Sequence, residues 1–166
     1  MNRKINILRG LFIGLLLMMF GIIFNFSNQN GDKSGSLSRH LTEDVTKNLG
    51  FIQKLEDSEK ERVLKKIEHI IRKLAHFSLY FAVGTFSMGF LTTFDLKNIK
   101  RFFGSLGIGV LYASLDEFHQ FFIPDRSASV VDVFIDSLGV ICGICVVLGV
   151  VKILKNKKEI NLVGLN

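Results

Sequence analysis

The side chains best equipped for chemistry in this chain lie between Tyr112 and Asp136. They run Tyr112-Ala-Ser-Leu-Asp-Glu-Phe-His-Gln120, then Pro124-Asp-Arg126, then Asp132 and Asp136. Acids, a histidine, a glutamine and an arginine thus meet where two long apolar segments adjoin. Charge at a membrane boundary is costly, so such a cluster marks a working site. Upstream, Lys73, His76 and Tyr80 step along a second apolar segment. Three chemistries are open to this set. Glu117 with His119 or His76 could move protons, and Arg126 could hold a phosphate through its planar fork. Asp116-x-x-His119 places two metal-capable groups on one helical face, with His76 or Asp132 to complete a shell. No His-x-x-x-His or cysteine cluster supports a metal, however, and oxygen-rich sets also build plain ion-pair networks. No metal and no cofactor are therefore expected. Catalysis would need a nucleophile or an acid–base pair within reach of substrate. Ser27, Ser34 and Ser38 have no base spaced to activate them, so the reading leans away from an enzyme.

These residues must be held by the rest of the chain. Its 166 residues are 48% hydrophobic, with 16 Phe, no Trp and a single Pro. The apolar residues gather in four blocks, about 5–26, 74–94, 102–122 and 130–154, each near the roughly 20 residues that cross a bilayer. The expected fold is all-α: a four-helix polytopic membrane bundle forming one domain over 1–166. The first block follows Arg3, Lys4 and Arg9 but lacks a small-x-small cleavage site, which reads as an uncleaved anchor. Its Gly10, Gly14 and Gly21 share one side, suited to close helix packing. Cys142-x-x-Cys145 sits inside the last apolar block. There it reads as two small apolar helix residues and not as a redox or zinc motif. The net charge of +6 does not imply nucleic acid, because the lysines collect at block ends.

Those block ends also orient the chain. Arg3, Lys4 and Arg9, then Lys97, Lys100 and Arg101, then Lys152, Lys155, Lys157 and Lys158 share one side of a four-span protein. By the positive-inside rule that side is cytoplasmic, so both termini are cytoplasmic. The long link 27–73 then lies outside the membrane, although Lys65, Lys66, Arg72 and Lys73 pull against that assignment. Within the link, Leu37, Leu41, Val45, Leu49, Ile52 and Leu55 repeat as an amphipathic helix. Ser58-Glu-Lys-Glu61 reads as a capping box that opens a second one. Val63, Ile67, Ile70 and Leu74 lead from it into the second span. Such helices either pack on the bundle and membrane surface or form a cap over the polar site.

Three helical faces turn small or polar residues inward. They are Lys73, His76, Tyr80, Gly84 and Ser87; Ser105, Gly109, Tyr112, Asp116 and His119 or Gln120; and Asp132, Asp136, Gly139 and Gly143. Glycines permit close approach, so the polar ends converge. Lys73, Arg126 and His76 are the available partners for Asp116, Glu117, Asp132 and Asp136. Asp116 and Glu117 lie about 100° apart around a helix and cannot share one groove. Each residue also has a plainer role. Asp132 and Asp136 suit a helix N-terminus, Arg126 an interfacial arginine, and His76 a satisfied core histidine.

These residues resemble the VanZ-like family of small bacterial membrane proteins. The likeness covers Phe26-Ser-Asn-Gln29 through Gly143. It rests on Lys73-Leu-Ala-His-Phe77 with Tyr80 and Gly84, on Asp116-Glu-Phe-His-Gln120, and on Pro124-Asp-Arg126 followed by Asp132 and Asp136. The resemblance implies a four-span protein of the bacterial cytoplasmic membrane, with its polar motif on the outer side. The family's namesake lowers susceptibility to the glycopeptide teicoplanin, and no catalytic activity comes with the family name. The expected ligand is a membrane lipid headgroup or a lipid-linked wall intermediate. It would be held by Lys73, His76, Tyr80, Asp116, Glu117, His119, Gln120, Arg126, Asp132 and Asp136. A membrane enzyme on the same lipids, or an ion-pair latch in a bundle that binds a membrane protein partner, are the alternatives.

Overall fold

The computed structural model describes residues 3–28, 55–124 and 128–163, together with positions 42, 44, 46, 47 and 52. Four long helices carry the fold: α1 (Arg3–Ser27), α2 (Asp57–Thr92), α3 (Asn98–Gln120) and α4 (Val130–Val163). No strand occurs among the described residues. Three of the helices, α1, α2 and α4 over Val130–Lys157, are long and apolar enough to cross a membrane. Helix α3, at 23 residues and roughly 1.5 Å per residue, has the length of a span but is less apolar. Its polar last turns set it apart from the other three.

The contacts fix an up-down-up-down arrangement. Arg9 near the start of α1 reaches Thr93 just past the end of α2, so these two run antiparallel. Tyr112 and Gln120 of α3 meet Phe20 and Ser27 of α1 in the same order, so these run parallel. Gly139 and Gly143 of α4 meet Phe77 and Phe81 of α2 in the same order too. Helix α2 is the hub, touching all three others, and its longest contact is with α4.

Glycine explains that contact. A Cβ built on Gly143 would lie 2.2 Å from the Phe81 carbonyl oxygen, and one on Gly139 would lie 2.5 Å from that of Phe77. On the opposite face of the seam, a Cβ on Gly84 would lie 2.2 Å from the Val140 oxygen. The backbones of α2 and α4 therefore touch directly, as small residues allow within membranes. Around the seam Tyr80, Val83, Met88, Ala113, Val140 and Ile144 form a core, which Leu16, Met19 and Ile23 of α1 close.

Several boundaries differ from the sequence reading. The capping-box helix and the second span are one unbroken helix, because the Val63–Leu74 stripe continues its phase without a breaker. The expected capping box is not made: the helix starts at Asp57, one residue before Ser58, and its N-cap Glu56 gives no side-chain cap. That helix also ends at Thr92 and not Phe94. The third helix runs 98–120, earlier than the expected 102–122. The glycine face of α1 meets nothing among the described residues, since Gly10, Gly14 and Gly21 have no such neighbour within 4 Å of a built Cβ. The helix instead buries the opposite face through Leu16, Met19, Ile23 and Ser27, where larger side chains remove more apolar area from water and lipid. Of the expected amphipathic helix between Leu37 and Leu55, most positions lie outside the described residues. Thr42, Thr46 and Ile52 are buried.

At one end of the bundle, arginines finish α2. Arg9 donates to the Thr93 carbonyl at 3.0 Å and its hydroxyl at 3.1 Å, and Arg101 donates to the Phe94 carbonyl at 2.8 Å. The Arg9 guanidinium also lies 3.9 Å from the Phe94 ring centroid. Cationic donors at a helix C-terminus satisfy carbonyls left without a partner and complement the dipole. The ionisable cluster occupies the other end.

Candidate functional site

The polar end is assembled from the C-terminal turns of α1 and α3, the middle of α2 and the first turns of α4. The three inward faces anticipated from spacing do converge. Tyr80, Gly84 and Ser87, Ser105, Gly109, Asp116 and Gln120, and Asp136, Gly139 and Gly143 are buried. The helical repeat brings them there: each step of three or four residues returns to one side.

Its innermost group comprises His76 from α2, Asp116 from α3 and Asp136 from α4. One ligand-capable atom from each lies within 4.8 Å of the others. His76 Nδ1 stands 3.8 Å from Asp136 Oδ2, beyond hydrogen-bonding distance. Asp136 is 1% exposed, and Oδ2 has no hydrogen-bond partner among the described residues. Two full negative charges no more than 4.8 Å apart repel by at least about 3 kcal/mol at an effective dielectric of roughly 20. The opposing imidazole, a proton or a cation must offset that. Gln120 donates to Asp116 Oδ2 at 3.1 Å and to the Ser27 hydroxyl at 3.3 Å, which steadies the carboxylate from α1.

Tyr80 packs one turn beyond His76. It is fully buried, its hydroxyl has no partner among the described residues, and it lies within electrostatic reach of Asp116 and Asp136. Tyr112 differs. Its hydroxyl donates to the Phe20 carbonyl at 2.6 Å and its ring stacks on Phe20 at 4.0 Å, so it fastens α3 to α1.

Around this group lie three further ties. Lys73 and Asp132 form an ion pair, each about a quarter to a third exposed. Glu117 accepts the backbone N–H of Ser129 at 2.8 Å, joining the end of α3 to the residue that precedes α4. His119 stacks on Phe24 of α1 at 5.0 Å, with Nε2 buried and without a hydrogen-bond partner among the described residues. Asp116 and Glu117 thus take different neighbours, as their angular separation requires. Glu117 and His119 do as well, so this structure does not assemble them into an acid–base pair. Arg126 lies outside the described residues. Cys142 and Cys145 are free and exposed on the outer side of α4, away from the cluster.

Spacing alone missed three contributors. Ser27 looked like a link residue, yet it is buried under Gln120. The Ser129 amide and the Phe20 carbonyl are backbone groups, which no side-chain pattern announces.

A helical bundle of bilayer-spanning segments with ionisable groups gathered at one end defines an integral membrane protein. The family it belongs to is VanZ/LLP1, whose model matches residues 12–154, including all four helices' central parts and the whole polar cluster. No curated protein and no solved structure matches the chain.

Proposed function

We propose that this chain is a four-span protein of the bacterial cytoplasmic membrane whose polar end, in the outer leaflet, engages a lipid headgroup or a lipid-linked wall intermediate. The observation that carries this is the burial of Asp116, Glu117 and Asp136 at one end of an otherwise apolar bundle. Buried ionisable groups in a membrane are expensive and are kept where they meet a ligand or each other. Helix α3 lies alongside α2 and α4 through Ser105, Gly109 and Asp116, which supports reading it as the fourth span. Arg9 and Arg101 at the arginine-finished end support a cytoplasmic side there and an outer side for the polar end. Lys73 and Arg126 supply cationic donors for a phosphate, and the acids select polar groups.

Direct lipid binding tests the reading. Native mass measurement of the purified protein should retain phosphatidylglycerol or undecaprenyl phosphate, and Arg126→Ala should lose that adduct while remaining folded. An unchanged adduct would sink the proposal. Lowered teicoplanin susceptibility in a sensitive Gram-positive host is the cellular counterpart, with vancomycin as the comparison.

A latch is the second reading. The Lys73–Asp132 pair, the Glu117–Ser129 bond and the Gln120–Ser27 bond each tie different helices at this end. Under it, loss of these ties lowers membrane abundance and no lipid is retained.

A further inference from the structure

We infer that His76, Asp116 and Asp136 hold a divalent first-row metal cation between α2, α3 and α4. This runs against the expectation of no metal drawn from the sequence, which weighed Asp116 and His119 with His76 or Asp132 completing the shell. The structure stacks His119 on Phe24 and brings Asp136 beside His76 and Asp116 instead.

The geometry is near to ligation. The three ligand atoms lie within 4.8 Å of one another. Atoms sharing one ion at about 2.0–2.2 Å stand roughly 3–4 Å apart, so small side-chain rotations close the site. Two acidic oxygens and an imidazole nitrogen suit zinc or manganese better than magnesium or calcium, which favour oxygen alone. Asp136 Oδ2 is buried without a hydrogen-bond partner among the described residues. The Tyr80 hydroxyl is a second, independent sign. It is fully buried one turn beyond His76 and has no hydrogen-bond partner among the described residues. A metal-bound water or anion would give it one. Gln120 donates to Asp116, the kind of outer hydrogen bond that fixes a metal-binding carboxylate.

The ion also resolves a mismatch in charge. Four acids, Asp116, Glu117, Asp132 and Asp136, outnumber the two cations, Lys73 and Arg126, that the lipid reading assigns to a phosphate. A divalent cation with positions left open converts that acidic end into a phosphate receptor. This step rests on the lipid reading above, whereas the metal site itself does not.

The test uses the full chain in detergent, stripped with EDTA and reloaded with Zn²⁺, Mn²⁺, Mg²⁺ or Ca²⁺. One ion per chain is expected, with Zn²⁺ and Mn²⁺ bound at least tenfold tighter than Mg²⁺ and Ca²⁺. His76→Gln and Asp136→Asn should each weaken binding more than tenfold. The double variant Cys142→Ala, Cys145→Ala should bind as the parent does. Loss of binding in the cysteine variant, with retention in the other two, would overturn the inference. Should the site variants fail to fold, the parent alone decides: pulsed electron paramagnetic resonance of bound Mn²⁺ must show coupling to an imidazole nitrogen, and its absence refutes the site. Lipid retention is then read with and without metal, using phosphatidylglycerol and undecaprenyl phosphate. Metal-loaded protein that keeps neither lipid leaves the metal site standing and removes the lipid reading. Lipid kept by protein that takes up no metal does the reverse.

Discussion

Replacing Gly143 with alanine should separate the two helices that hold the site. The added methyl would sit 2.2 Å from the Phe81 oxygen, 2.7 Å from the Thr85 nitrogen and 2.9 Å from the Thr85 hydroxyl. Two of those three atoms are backbone and cannot rotate away. Ordinary contact begins near 3.4 Å, so α2 and α4 must part by about 1.2 Å at that point. Even a gap of 0.5–1 Å forfeits about a quarter to a half of the dispersion attraction across an interface. Overpacking of this kind costs about 1–3 kcal/mol. Alanine returns up to about 1 kcal/mol through helix propensity, so a net loss of up to about 2 kcal/mol is expected. Gly149 on the same helix is the control. A Cβ there meets nothing within 4 Å, so Gly149→Ala gains the propensity without the clash and should be neutral or mildly stabilising. Thermal unfolding in one detergent, followed by size-exclusion chromatography after heating, compares the two. Equal melting of Gly143→Ala and Gly149→Ala would refute the backbone-contact argument.

Three other outcomes follow from the same geometry. Lys73→Met or Asp132→Asn, each leaving a half-buried charge unpaired, should lower stability by about 1–2 kcal/mol, and the exchange Lys73→Asp with Asp132→Lys should recover most of it in the same melting assay. Glu117→Ala strips the Ser129 N–H of its acceptor and should destabilise by about 1–3 kcal/mol, whereas Glu117→Gln, which keeps a carbonyl acceptor, should lose under half as much on thermal denaturation. In intact membranes Cys142 and Cys145 should react with a lipid-soluble maleimide and resist a charged, water-soluble one, because both lie on the exposed outer face of α4. Equal labelling by the two reagents would place that face in water.

The bundle was legible because burial in a membrane leaves long apolar runs that need no tertiary information to see. The polar faces were legible for a related reason: Tyr80, Gly84 and Ser87, or Asp132, Asp136 and Gly143, keep one helical phase. Which faces would touch was harder. Gly10, Gly14 and Gly21 share a phase as regular as that of Gly139 and Gly143, yet one set is exposed and the other meets backbone. A stripe of small residues permits contact and does not specify a partner. Helix ends were blurred for a different reason: the stripe from Val63 to Leu74 runs into the second apolar block without a break, and the end of a bilayer leaves no mark on helical phase. Pairings such as Glu117 with the Ser129 amide, or Gln120 with Ser27, depend on where loops return, and that information is not periodic.

The unbroken α2 has a mechanical consequence. Its 36 residues extend about 54 Å, against about 30 Å of hydrocarbon. The arm from Asp57 to Arg72 is about 24 Å long, and the fulcrum is the hard contact of Gly84 with Val140. Asp57 lies about 40 Å from that contact, so a tilt of about 5° sweeps the tip through about 3.5 Å. Lys73 and His76 lie between tip and fulcrum, so any load borne on the arm is delivered as a smaller displacement to the ion pair and the imidazole. The helix is a lever, and the chain has put its most polar groups on the short side of the stroke.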